Sequence, residues 1–575
     1  MSESPKPSTS SFPRFALPLI VFLVALVIRL IGIDWGLPNE NHRQSYHPDE
    51  PVVWAYSQAI QPAKLSFTPG FYNYGTLYLT TLKIASDVVA GYSGGGVNPE
   101  KPDDVWSFIG KAHLAGRVIS AIAGALTVLF VALILRRFTN EFGVAFGSLA
   151  VAFAPAHVVH SRFQTVDILA AFLVVMSAYF AVRLLDQDLV PNAKQDLKFA
   201  LLSGLFAGLS AGTKYTGILC LVTLFVIALG AKRQAGWKLA MAGLGAAIAA
   251  FVITTPGFLL ENAEFMKGFL YETQHVKEGH GLVFEGSSPG FIYHIANLFL
   301  GMGMIVSVMG VAGLVVASVK RHWWAIGLLA FFVIYYFVIA GAEVKFIRYT
   351  FPLYLGIAVG FGWAIGKVRD RGGRWHAAVA LGILGLGGFF GGGLQSAVRF
   401  TSFMTSPDPR DAAGEYLRGG PGTVGVVADP WFYSPAIHPD LGRRLVYAPG
   451  RPFVGISTYE GMHRILEAMS NPSIVRYMPA NGLAGRLDWD SRLLTEAKPD
   501  YVVYSSFESE GLDRIAQLRN PSPVGKATSD RAREFMEKLR QNYDFDRQFG
   551  TAQSYVHDMM YVQPTIWVWK RKPDR

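Results

Sequence analysis

The sequence predicts a polytopic α-helical membrane protein with about eleven transmembrane helices and a C-terminal α/β domain outside the membrane. Three observations carry this. Hydrophobic residues make up 51% of the 575 residues and charged ones only 16%, against roughly 25% charged in a soluble chain. Forty Phe, 24 Tyr and 12 Trp add more apolar surface than one globular core hides. Apolar runs of span length recur up to residue 399, after which composition turns ordinary.

The first run, from Phe15 to Ile33, follows a polar segment, residues 1–14, and leads into Asp34-Trp35-Gly36-Leu37-Pro38 rather than a small-residue cleavage site. It therefore reads as an uncleaved anchor, with Arg29 snorkelling to the interface. Later spans fall near 118–135, 142–158, 167–184, 199–213, 215–231, 237–257, 293–318, 323–341, 350–366 and 376–397. With residues 1–14 in the cytoplasm, every second junction is basic: Arg136-Arg137, Arg183 to Lys198, Lys232-Arg233, Lys320-Arg321 and Lys367 to Arg374. Cytoplasmic loops carry such an excess. Residues 1–400 hold 30 Lys/Arg against 21 Asp/Glu, and 401–575 hold 22 against 21. The net charge of +10 thus belongs to the membrane junctions and implies no nucleic-acid partner. Cys220 is the single cysteine, which excludes a disulfide framework.

Residues 74–90 are apolar on one face only, with Tyr78, Leu82, Ala85 and Val89 opposite Thr80, Thr81, Lys83 and Asp87. That pattern predicts a helix lying on the membrane. The transmembrane unit then covers 15–399, with long outer loops at 34–116 and 258–292, and residues 400–575 form the outer domain. In that domain Val424 to Ala428 and Tyr501 to Tyr504 read as strands and Arg531 to Arg540 as a helix. The glycine-dense run from Gly382 to Gly393 reads as helix packing in lipid.

Candidate chemistry gathers at the outer mouths of the spans. In Tyr46-His47-Pro48-Asp49-Glu50-Pro51, two carboxylates stand where a lowered dielectric tunes a general base. The same pattern also opens a helix, since Pro and acidic residues suit its first turn. Asp167 lies at the lip of a span near His157, His160 and Arg162, and ionisable groups at that depth usually face a cavity. Arg162, Lys214, Lys345 and Arg348 put four cations on the face that topology leaves poor in positive charge. A bound anion, such as a lipid-linked phosphate, accounts for them. His275, Glu278 and His280 have a spacing that admits a divalent metal ion or an acceptor contact, and equally an ordinary polar loop.

These residues resemble those of the C-fold (GT-C) membrane glycosyltransferases, in the branch of the protein O-mannosyltransferases and the lipid A aminoarabinose transferase. The resemblance rests on Asp49-Glu50 after the first span, Tyr72-Asn-Tyr-Gly-Thr-Leu-Tyr78, Gly116-Arg117-Val-Ile-Ser-Ala121 and Ser161-Arg-Phe-Gln-Thr-Val-Asp167. Lys214-Tyr-Thr-Gly217 and Arg348-Tyr349 complete it. It implies transfer of a sugar from a polyprenyl-phosphate carrier to an acceptor hydroxyl of a glycan, lipid or protein, on the outer face and with inversion. Asp49 is then the base, Asp167 the second acidic position, and Lys214 and Arg348 the phosphate contacts. Where the aminoarabinose transferase has a Glu-Lys-Pro stretch contacting metal and phosphate, this chain has Asn73-Tyr74-Gly75.

The same charges suit two other classes of protein. A transporter or lipid flippase would show inverted repeats and broken helices with charge near the midplane. A sensor or scaffold would not gather its acids and cations on one face.

Overall fold

The structure, a computed structural model, describes residues 15–39, 42, 45–92, 102–186, 192–232, 235–370, 375–386, 391–418, 422–428, 431–436, 474–475, 488–551 and 556–573. Residues 1–14, Arg233 and the junction at 371–374 lie outside them. Five described helices are long and apolar enough to cross a membrane: Ser107–Leu135, Val166–Arg183, Gly236–Thr254, Trp323–Ala340 and Ile347–Asp370. Three shorter apolar helices accompany them: Ala16–Leu30, Glu141–Ala152 and Tyr215–Ala231. Helices dominate because lipid offers no partner for a backbone N–H or C=O, so each segment must satisfy its own.

Small residues set the helix contacts. A Cβ on Gly204 would lie 1.9 Å from the Gly243 carbonyl oxygen, and one on Gly360 would lie 2.0 Å from that of Gly310. Backbones approach this closely where lipid supplies no hydrophobic drive and packing must supply the attraction. Within the glycine run expected to do this, Cβ atoms on Gly382 and Gly385 would meet nothing within 4 Å, whereas one on Gly392 would fall 2.4 Å from Gly303 Cα.

Several expectations change. The predicted span 293–318 is broken into Gly290–Met302 and Met304–Val319, bent by 109° at Gly303, whose φ of +102° suits only glycine. The span 142–158 ends at Ala152, and Pro155 opens a separate turn, Pro155–His160. Arg29 does not snorkel. It is fully buried and donates to the carbonyls of Ala25 and Val151, to Ser161 Oγ and toward His157 Nδ1. A guanidinium this deep needs all its donors engaged.

The helix expected within residues 74–90 forms as Leu77–Tyr92. Its buried Tyr78, Leu79 and Leu82 pack with Val53, Trp54 and Ile109, so it lies over the helix Asp49–Ser57.

The C-terminal part holds a five-stranded sheet of β1 (Val424–Val426), β2 (Ile474–Val475), β3 (Tyr501–Ser505), β4 (Tyr543–Phe549) and β5 (Ile566–Arg571), in the order β2-β1-β3-β5-β4. β1 runs parallel to β2 and β3, and β5 antiparallel to β3 and β4. Both faces are covered. Phe535 and Leu539 of helix Pro523–Asn542 pack with Val502 and Tyr504. On the other face Ala413 and Leu417 pack with Val426, Val503 and Val568. Ser522 starts the long helix by accepting the Gly525 N–H at 2.9 Å, with Pro523 next.

Candidate active site

Five charged residues meet where helices start or break. Asp49 opens Asp49–Ser57, and Asp167 lies in the first turn of Val166–Arg183. Lys214 precedes the 3₁₀ turn Tyr215–Cys220, and Arg348 lies in the 3₁₀ turn Ile347–Leu353. Asp558 lies in the 3₁₀ turn His557–Val562. Helix starts suit the carboxylates, because free N–H groups and the dipole there favour negative charge.

Arg348 is the hub. Its Nη2 is 3.3 Å from Asp49 Oδ2, its Nε 3.7 Å from Asp167 Oδ2 and its Nη1 3.7 Å from Asp558 Oδ2. Lys214 Nζ holds the other oxygen of Asp167 at 2.6 Å, and lies 4.3 Å from the centre of the Tyr349 ring. Nη1 of Arg348 is buried and makes no hydrogen bond within the protein, with Asp558 Oδ2 standing 3.7 Å from it. The carboxylates differ in access: the Asp49 side chain is 32% exposed, those of Asp167 and Asp558 5% and 0%. Burial works against ionising Asp49, but Arg348, aided by His47, His280 and Lys214, outweighs it and holds the carboxyl below its usual range.

Glu50, next in sequence to Asp49, does different work. Arg117 grips it through Nε and Nη2, each at 2.8 Å. Ser45 Oγ donates to it as well, as does the Gln164 N–H at 2.7 Å. Both charged side chains are fully buried. Arg117 also donates to the carbonyls of Ile33 and Trp35. The Glu50 oxygens are engaged within the protein and tie the loop together.

Other expected site residues stand apart. Arg162 donates to the Ile28 carbonyl at 2.6 Å and to Thr401 Oγ1 at 2.7 Å, tying two helices together. Lys345 is buried and turned to Ser287 and Glu343, at 3.2 and 3.3 Å. His275 and His280 approach each other at 3.3 Å, while Glu278 accepts from Gln274. Among the described residues no three His, Cys, Asp or Glu side chains group as metal ligands. This trio does not fit a metal centre.

Beside Lys214 opens a cavity of about 780 Å³ lined by Ile218, Leu219, Phe251, Phe269, Val276 and Ile339, with Tyr74, Glu272 and Tyr349 also in its wall. Its walls are the helices Gly236–Thr254, Asn262–Glu278 and Trp323–Ala340. The helix Leu77–Tyr92 contributes none of the lining; from the outer loop 34–116 only Asn73 and Tyr74 reach the cavity.

Asp558 went unseen in the sequence. The available signal was a charged His-Asp pair inside the apolar run from Val556 to Val562.

The helical fold that carries these carboxylates and the apolar groove is similar to that of two solved structures. The apo oligosaccharyltransferase of Archaeoglobus fulgidus superposes with a TM-score of 0.51 at 14% identity, over 95% of this chain and 75% of that one. ArnT from Cupriavidus metallidurans, bound to undecaprenyl phosphate, gives 0.50 at 14% identity, over 97% and 98%. At such identities the likeness is one of fold. More particularly, residues 105–258 match the family described as dolichyl-phosphate-mannose-protein mannosyltransferase. Comparison with curated proteins gives no match.

Proposed function

We propose that this chain is a membrane glycosyltransferase that moves a sugar from a polyprenyl-phosphate carrier to an acceptor hydroxyl. One observation carries the reading: the open carboxylate of Asp49 sits 3.3 Å from Arg348, in one cluster with Lys214, which lines an apolar groove large enough for a prenyl chain.

In the reaction the acceptor oxygen bonds to the anomeric carbon as the bond from that carbon to the phosphate oxygen breaks. The hydroxyl proton passes to Asp49, whose depressed pKa keeps it ionised and ready. Charge left on the carrier phosphate falls to Lys214 and Arg348, preorganised cations in a site of low dielectric. A single displacement needs one open carboxylate and inverts the anomeric centre, unlike the paired carboxylates of retaining hydrolases.

The topology belongs to the same proposal: residues 1–14 in the cytoplasm, eleven spans within 15–399, and the site and residues 400–575 outside. Contacts among the basic junctions support it. Arg137 pairs with Asp186, Lys232 lies 3.3 Å from Asp196, and Asn140 donates to Asp370 at 2.6 Å. Junctions expected on one side therefore meet. The broken helix at Gly303 is the feature that favours a transporter. There, however, Gly392 packs against the break, a Cβ on it falling 2.4 Å from Gly303 Cα, and the charge cluster lies elsewhere.

The test supplies purified protein with a panel of radiolabelled polyprenyl-phosphate sugars and follows release of free carrier phosphate. Release that requires an acceptor supports transfer. Movement of intact lipid across vesicles without release would replace this reading with the flippase one.

A further inference from the structure

We propose that the C-terminal domain completes the donor site, with Asp558 as a positioning residue that fixes Arg348. This rests on the donor reading above.

The physical argument starts from helix ends. The first N–H groups of a helix have no partner within it and need an outside acceptor. Phe346, which precedes the turn Ile347–Leu353, provides no side-chain cap. The cap comes instead from the other domain: Asp558 Oδ1 accepts the N–H of Ile347 at 3.1 Å, and Oδ2 that of Arg348 at 3.2 Å. The same carboxylate faces the Arg348 guanidinium at 3.7 Å. It therefore fixes both the backbone from which Arg348 springs and the direction of its side chain. Burying a carboxylate completely is costly unless its oxygens are engaged. Asp558 is 0% exposed, so its position and that of the turn are mutually dependent.

A second clamp holds the domain on the side of Asp49. Arg410, fully buried, is bonded to Asp408 and to the carbonyls of Phe432 and Tyr561. Its guanidinium lies 3.7 Å from the centre of the Tyr46 ring. Tyr46 Oη donates to Asp411 at 2.5 Å, and the Trp35 indole to Asp408 at 3.1 Å. The segment leading into Asp49 and the turn carrying Arg348 are thus both fastened to one body, which sets the spacing between base and phosphate cation. A third contact, Arg514 to the carbonyls of Val283 and Glu285, docks the domain through groups that include neither Asp49 nor Arg348 and provides a control.

The experiment titrates undecaprenyl phosphate into full-length wild type, Asp558→Ala, Asp558→Asn and Arg514→Ala, with melting temperature and turnover measured on each preparation. Asp558→Ala should lose affinity for the carrier by about tenfold or more, the scale of a charge-assisted contact. Asp558→Asn, which keeps an acceptor for one amide, should fall between. Arg514→Ala should lower the melting temperature and leave carrier affinity intact. Wild-type affinity and turnover in Asp558→Ala overturn the proposal, and so does a loss that Arg514→Ala reproduces in proportion to melting. Absence of carrier binding by the wild type removes the donor reading itself, and this proposal with it.

Discussion

Glu50 and Arg117 form a fully buried pair through two contacts of 2.8 Å, one residue away from the open carboxylate of Asp49. Adjacent acids therefore differ, one engaged within the loop and the other left partly exposed. Breaking a buried pair by removing one partner leaves an uncompensated charge. Arg117→Ala should cost about 3–5 kcal/mol of stability, seen as a large drop in melting temperature. The sign of its pH dependence follows. Burial opposes ionisation of Glu50, but Arg117 prevails and brings its pKa from 4.5 down to about 2. The stabilisation is present above the ordinary value and is lost as pH falls toward the lowered one.

Asp49→Asn keeps size and most hydrogen bonding but cannot take the acceptor's proton. Turnover should fall by about 10²–10⁴-fold, the usual contribution of general base catalysis, with carrier binding and melting little changed. Near-normal turnover would move the base to Asp167.

Lys214→Ala and Arg348→Ala should each weaken binding of polyprenyl phosphate by about 1.5–3 kcal/mol, read by titration. Lys320→Ala, at a basic junction, should bind normally. Unchanged affinity in both site variants would make the pair a structural clasp on Asp167.

The pH profile separates the influences on Asp49. In the wild type its depressed pKa keeps the acid limb of turnover below the ordinary carboxylate range. Arg348→Gln removes the main opposing charge and leaves burial to dominate. At saturating carrier, the acid limb of the residual activity should therefore shift upward. An unmoved limb would show that another group limits turnover in acid.

Single cysteines at Ser66 and Ser506, in a Cys220→Ala background, should react with an impermeant thiol reagent applied outside, and one at Asn192 should not. The opposite pattern would reverse the orientation.

Apolar runs and basic junctions are local properties of a chain in lipid, so the helical membrane class, the helix after Tyr74 and the strands at Val424 and Tyr501 were legible in the sequence. Asp49, Asp167, Lys214 and Arg348 were legible as charges at helix mouths, because ionisable groups at that depth are costly and few. Their mutual distances were not. Composition and spacing alone did not separate Asp49 from Glu50, or Lys214 from Arg162; only the resemblance ranked them. That difference is made by partners far along the chain: Arg117 is 67 residues from Glu50, and Thr401 239 from Arg162. Asp558 reaches the Arg348 backbone from 210 residues away. Only tertiary packing brings such groups within hydrogen-bond reach, and that reach determines which charges are neutralised and which stay open to a substrate.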